Sequence, residues 1–322
     1  MKIVHVIWAR FPVGGYGGTE RVSWWLGKAQ AEMGHEVTYL CLPGSRIPFA
    51  SAREIPSDLR HLDPLLPPGT DIVQLYGAPH YRIDAPHLVN IGGNGQPGEK
   101  YPANTVFVSR NHALRHGWTE FVHNGVDLAE YPLCGAKENF ALFLAKASWS
   151  VKNLRGAIRI ARDARLPLHV AGGRAGCWRR GVVSHGTVDG GEKLSLLQRA
   201  GALLFPVIWE EPFGLAVVEA LACGTPVVAT PRGALPEIVD STCGILAGSH
   251  EGLVEALRER ERFSPEACRA RVEAAFTHIH MAEKYLLYYK MILEKGRIRE
   301  GHPEAPADAD PERKIYYEGY RR

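Results

Sequence analysis

The stretch WEEPFGLAVVEALACGTPVVAT, residues 209–230, sets two carboxylates, Glu211 and Glu219, with seven residues between them in a segment otherwise suited to burial. Residues from Gly214 to Cys223 read as a helix that starts directly after a tight loop. Such a start offers unpaired N–H donors and the positive end of the helix dipole, which together suit a phosphate. Leu215 and Glu219 share one helix face, about 6 Å apart along the axis. A phosphate held at the amides around Leu215 therefore leaves Glu219 beside an attached ribose, whose cis-diol matches the two acceptor oxygens of a carboxylate. Glu211, in the loop before the helix, can accept from a sugar hydroxyl on the far side of a diphosphate. Two solvated surface glutamates are the plainer alternative.

Cations accompany them. Lys146 closes the strand-like FALFLAK, and Lys152 follows in the loop before a helix beginning near Leu154. At a strand's carboxyl end both could stabilise a departing diphosphate without a metal. The glycine loop PVGGYGG near the N-terminus lacks the last glycine of a dinucleotide fingerprint, and the second strand, EVTYLCL, ends without an acidic residue for a ribose. Nicotinamide binding is therefore not expected. Asp308 and Asp310 stand in a Pro-rich polar tail rather than at a strand end, and His278 and His280 point to different faces of a helix, so neither pair is read as a metal site.

These residues need a scaffold, and the pattern along the chain supplies one. Strand-like and helix-like segments alternate from KIVHVIW onward, and the alternation starts afresh at FALFLAK after the turn-rich HNGVDLAEYPLCGAKENF. The expected class is α/β: two Rossmann-like doubly wound domains facing across a cleft, with ligands outside the carboxyl ends of the strands. The boundaries fall at 1–135 for the N-terminal domain and 136–276 for the second, with a terminal helix over 277–295 and a polar surface extension or loose tail over 296–322.

Composition agrees with a soluble enzyme-sized protein. The 322 residues are 45% hydrophobic and 23% charged, with a formal net charge of +3. That balance suits an anionic small ligand and is too mild for a nucleic-acid footprint. Cys41, Cys134, Cys177, Cys223, Cys243 and Cys268 show no paired spacing, as expected of free thiols in a reducing compartment. No signal-peptide pattern or membrane-spanning run is evident, so the expected location is cytoplasmic, with peripheral membrane contact allowed.

Taken in order, several segments resemble the family-four retaining glycosyltransferases of the GT-B architecture. EEPFGLAVVEALACGTPVVA is similar to that family's two-glutamate signature, GGTERVSWWLGKAQAEMGHEV to its first loop and helix, and HNGVD to its interdomain segment. LPEIV and AEKYLLYYKMIL are similar too, so the likeness spans roughly residues 1–293. It implies that 1–135 is the acceptor-side domain, that 136–276 is the nucleotide-sugar-binding domain, and that the helix over 277–295 crosses back to the first. It also implies that Glu219 holds the ribose, that Glu211 contacts donor-sugar hydroxyls, and that amides of Phe213, Gly214 and Leu215 hold sugar and phosphate. Lys152 matches the family's diphosphate lysine, while Lys146 stands where an arginine is usual and would lose the bidentate fork. Gly17 and Gly18 would approach the donor phosphate from the other domain. In such folds backbone near Gly173 and Thr187-Val188 contacts the base.

There are departures. Gly92 occupies the position of the family's strand-end histidine, and Gln74 that of a second; Asn90, Asn94 and His80 are the neighbours that could substitute. The resemblance implies a metal-independent, retaining transferase. It would move a hexose-like sugar from a UDP- or GDP-sugar to a small-molecule, glycan or lipid-linked hydroxyl, with no cofactor besides this substrate. A non-catalytic nucleotide-sugar binder or partner subunit, and a nucleotide-sugar 2-epimerase, are the alternatives.

Overall fold

The computed structural model describes residues 1–15, 17–174 and 180–320; Tyr16 of the first glycine loop and Cys177 lie outside the described residues. Two compact units divide the chain, Met1–Gly125 with His278–Pro311, and Val126–Thr277 with the residues from Glu312 on.

The first unit contains β1 (Lys2–Val6), α1 (Gly18–Glu32), β2 (Glu36–Cys41), β3 (Ser51–Glu54), β4 (Ile72–Leu75), β5 (His87–Ile91), β6 (Thr105–Phe107) and α2 (Arg110–Arg115). Its strands are all parallel, in the order β3-β2-β1-β4-β5-β6. Val4 pairs with Thr38 on one side and Val73 on the other, and the central strands are buried along nearly their whole length, as expected of a parallel sheet covered on both faces. β3, SARE, is exposed along its whole length and carries two charges, as befits an edge. The sequence pattern gave no sign of it.

The second unit repeats the plan. It contains β7 (Ala141–Leu144), α3 (Leu154–Asp163), β8 (Leu168–Ala171), β9 (Val182–Gly186), α4 (Gly190–Arg199), β10 (Ala202–Phe205), α5 (Leu215–Ala222), β11 (Val227–Ala229), α6 (Leu235–Ile238), β12 (Gly244–Leu246), α7 (His250–Arg258) and α8 (Pro265–Ala275). Its parallel order, β12-β11-β10-β7-β8-β9, is the same doubly wound order when numbered within the unit. The order reverses between β7 and β10, the place where such sheets open a ligand crevice beyond the strand ends. α7 and α8 lie in charge-rich sequence that the hydrophobic pattern leaves unassigned.

α9 (His278–Lys295) belongs to the first unit and packs against α1 and β5. Its buried tyrosines end in a polar network. Tyr285 Oη accepts from Asn90 Nδ2 at 2.7 Å, and Tyr289 Oη donates to Gln74 Oε1 at 2.7 Å while accepting from Gln30 Nε2. Gln30 Oε1 then meets His5 Nε2 at 2.7 Å, and Tyr76 Oη meets His5 Nδ1 at 2.7 Å. Full burial drives the His5 pKa down to about 4, only partly opposed by Gln30. The ring is thus neutral, with Nε2–H donating and Nδ1 accepting.

Two expectations need correction. The units divide at 125/126, not at 135/136: Val126 N–H donates to Phe276 O and Tyr131 Oη to Glu219, both within the second unit. Residues 296–322 are not a loose tail either. Ile298, Ala305 and Tyr317 are buried, and the segment divides between the two units. From Glu312 it runs over the loops at the carboxyl ends of four strands of the second sheet. Glu312 accepts from Trp149 Nε1 at 2.8 Å after β7, Ile315 N–H donates to Ile208 O after β10, Arg232 after β11 donates to Tyr316 O, and Glu318 exchanges backbone bonds with Gly248 and His250 after β12. No helix among the described residues is long and apolar enough to cross a membrane.

Candidate active site

Lys152 and Glu211 flank the reversal point of the second sheet, one after β7 and the other after β10. Lys152 ends a short 3-10 turn, and the next residue, Asn153, turns the chain at φ +62, a conformation asparagine tolerates better than most residues. Asn153 then caps α3 by accepting from Gly156 N–H at 3.0 Å, while its Nδ2 donates to Pro206 O at 2.8 Å, tying the two loops together. Lys152 Nζ donates to Glu211 Oε2 at 2.6 Å, and the side chains are only 7% and 8% exposed. Trp209 Nε1 donates to the same oxygen at 2.7 Å. The ammonium also lies 4.6 Å from the Trp209 ring centroid and 5.4 Å from those of Trp149 and Phe205, three faces that favour a cation. Trp149 meets Trp209 edge to face at 4.7 Å.

The preceding residue shows why Glu211 is the one that turns inward. Glu210 is anchored by Gly233 N–H, which donates to its Oε2 at 2.6 Å, and Ala234 N–H donates to Glu211 O. Gly233 has φ +58 and leaves no room for a Cβ against the Glu211 backbone. Gly214, at φ +101, turns the chain into α5, a conformation that suits glycine. The N–H groups of Gly214, Leu215 and Ala216 donate to no described residue. Phe213 is buried against Phe276. At the far end of α5, Lys137 Nζ donates to Cys223 O at 3.0 Å, where the helix dipole favours a cation.

Glu219, one turn into α5, is also buried and also has a lysine. Its Oε1 accepts from Lys193 Nζ at 2.6 Å and from Tyr131 Oη at 2.7 Å. The expectation that both carboxylate oxygens wait for a ribose diol is therefore corrected: one is taken, and only Oε2 is without a bond among the described residues. The idea of two solvated glutamates fails, since both carboxylates are buried and each is matched by a lysine, Lys152 buried and Lys193 partly so.

The other expected residues lie as follows. Lys146 is exposed, just beyond β7, with no side-chain ion pair or hydrogen bond among the described residues. Gly173, at φ +142, donates its N–H to Gly186 O at 2.9 Å and lies close to Ala147 in the loop after β7. Val188 is buried two residues before α4. Gly17 and Gly18 lie in the first unit, where Gly17 precedes and Gly18 begins α1. Gln74 and Asn90 both bond to tyrosines of α9. Asn94 is held by Arg115 and Pro311, while His80 lies against Trp8. Among the described residues His61, Asp63 and Asp84 form the group whose ligand-type atoms converge, and Arg82 already pairs with Asp84 at 2.8 Å; Asp308 and Asp310 form no such group.

Lys193, Tyr131, Trp149 and Trp209 were not foreseen. Lys193 had one sequence signal: a lysine in the opening residues of a helix opposes the dipole and needs an anion nearby.

Residues 141–260 match the family described as Glycosyl transferases group 1. The chain has the GT-B fold, and its second unit is similar to the group 1 glycosyl transferases. Over 120 residues it is 32% identical to a D-inositol 3-phosphate glycosyltransferase of Mycolicibacterium smegmatis, covering 35% of this chain and 28% of that protein. The chain thus spans less than a third of the first curated relatives it matches. Across the whole fold it is similar to AviGT4, a glycosyltransferase involved in avilamycin A biosynthesis, with TM-score 0.76 and 25% identity over 91% of this chain and 98% of that one. A structure of the Anabaena protein HepE in complex with UDP-glucose shares the fold, with TM-score 0.64 and 14% identity over 89% of this chain and 98% of that one. The likeness to family-four GT-B glycosyltransferases is therefore borne out.

Proposed function

We propose that this group 1 domain serves a retaining, metal-independent transfer of a sugar from a nucleotide sugar to an acceptor hydroxyl, with a UDP- or GDP-sugar as donor. The carrying observation is the pair of carboxylate–lysine couples whose carboxylates are buried, Glu211–Lys152 just before the N-terminus of α5 and Glu219–Lys193 one turn into it. In this reading the diphosphate lies at the amides of Gly214, Leu215 and Ala216. Lys152 has three N–H donors and spends one on Glu211, so it can hold sugar-side carboxylate and phosphate together. Lys146, exposed at the strand end, meets leaving-group charge that grows in the transition state. Glu211 orients the sugar hydroxyls, while Gly173 and Val188 border the base. The acceptor attacks an oxocarbenium-like anomeric centre as the diphosphate leaves. The relative found with UDP-glucose supports a uridine donor. The acceptor is a small molecule, glycan or lipid-linked sugar, the last of these reached by peripheral membrane contact from the cytoplasm.

A thermal-shift titration with UDP, GDP, ADP, dTDP and CMP tests the reading, with the wild type beside Glu219→Ala and Lys152→Ala. A ligand at one hundred times its dissociation constant stabilises the fold by about 2.7 kcal/mol. One nucleotide is expected to shift the wild type and to lose much of that shift in both variants. No shift with any of the five would refute the donor site.

A further inference from the structure

Resting on the donor reading above, the geometry points to Lys193 as a second ribose ligand that sets discrimination by the sugar hydroxyls. We infer that Glu219 does not grip the diol alone. Its Oε1 is occupied twice, by Lys193 at 2.6 Å and Tyr131 at 2.7 Å, so a single oxygen, Oε2, is left to accept. Lys193 compensates. Its ammonium has three donors; one goes to Glu219 and one reaches toward Tyr131 Oη at 3.5 Å, which leaves a third. A hydroxyl both donates and accepts, so a carboxylate oxygen next to an ammonium hydrogen satisfies it on both sides. Two carboxylate oxygens would satisfy only its proton.

Position agrees with this role. Lys193 stands in the opening residues of α4, five residues after Val188, which borders the base in the donor reading. Its side chain is 12% exposed, so the ammonium is desolvated enough for its bonds to count. Tyr131 comes from the segment that enters the second unit, and its hydroxyl fixes which carboxylate oxygen faces inward. Tyr131 is a positioning residue here, and Lys193 a ligand.

The test uses the full chain and the diphosphate of whichever base binds, in its ribo, 2′-deoxy and 3′-deoxy forms, with dissociation constants read by calorimetry for wild type, Lys193→Met and Tyr131→Phe. Wild type is expected to bind the ribo form about tenfold or more tightly than at least one deoxy form, the scale of a hydrogen bond to a charged group. In Lys193→Met that preference falls to about threefold or less, mainly because ribo binding weakens while the affected deoxy form changes little. Equal weakening of ribo and deoxy forms would mean that Lys193 only supports Glu219, and would overturn the inference. A wild-type preference below about threefold overturns it as well, and that measurement does not depend on any variant folding. Binding of no nucleotide at all to wild type would instead sink the donor reading beneath it.

Discussion

Removing the ammonium from the Lys152–Glu211 couple should cost far more than removing the couple entirely. In Lys152→Met the Glu211 carboxylate stays at its 8% exposure with Trp209 Nε1 as its remaining side-chain donor. Breaking one half of a buried pair costs about 3–5 kcal/mol, and the retained Trp209 bond places this case near about 3 kcal/mol. For a unit of this size that lowers Tm by about 6–12 °C, at about 2–4 °C per kcal/mol. Glu211→Leu should be milder, because the stranded ammonium keeps the faces of Trp209, Trp149 and Phe205, and a desolvated cation–π contact is worth up to about 2 kcal/mol. The double variant Lys152→Met/Glu211→Leu buries no unmatched charge and should recover to within about 1 kcal/mol of wild type. Thermal unfolding without nucleotide, followed in the near-ultraviolet where Trp149 and Trp209 report, gives all four corners of the cycle. A fall below about 2 °C for Lys152→Met, or a double variant as unstable as the sum of the singles, would refute the account of this pair.

Two further outcomes are expected. His5 is buried neutral with a pKa of about 4, against 6.5 unfolded, so the unfolded chain takes up its proton first as pH falls. Stability is therefore unaffected above about pH 6.5 and declines between 6.5 and 4, by about 3 kcal/mol at about 1.36 kcal/mol per unit. Denaturant titrations across that window should show a shallower decline in His5→Gln, and equal slopes would rule the assignment out. Gly233→Ala places a Cβ against the Glu211 backbone at a positive φ, whereas Gly248 has open space and no such φ. Gly233→Ala should lower Tm and blunt the nucleotide shift, Gly248→Ala should do neither, and matching behaviour in the pair would contradict the role given to that turn.

What could be read beforehand was local. Glu211, Gly214, Leu215 and Glu219 occupy one short run whose helical spacing fixes their relations, and α5 begins and ends where that spacing places it. Lys152 was legible because a strand end and a helix start bracket it. The partners were not, because they come from afar: Tyr131 is 88 residues from Glu219, and Lys193 is 26. No periodicity connects such positions; only the winding of the sheet does. β3 escaped notice because an exposed edge strand has no apolar stripe, and α7 and α8 because charged residues crowd their outer faces. The polar composition after residue 296 hid Tyr317, a single buried ring among charges, whose hydroxyl accepts from Asn153 Nδ2 at 3.4 Å.

That last segment bears on how the protein is made. A chain leaves the ribosome N-terminus first and folds by domains as it emerges. All six strands of the second sheet are available once residue 246 has appeared. The loops carrying Trp149, Asn153, Ile208 and Arg232 are fastened by residues 312–318, which emerge well after that strand. Synthesis therefore completes the sheet well before it completes the mouth of the site. A nascent chain has its α/β scaffold while the surroundings of Lys152 and Glu211 are unfinished, and those surroundings close only once residues 312–318 have emerged.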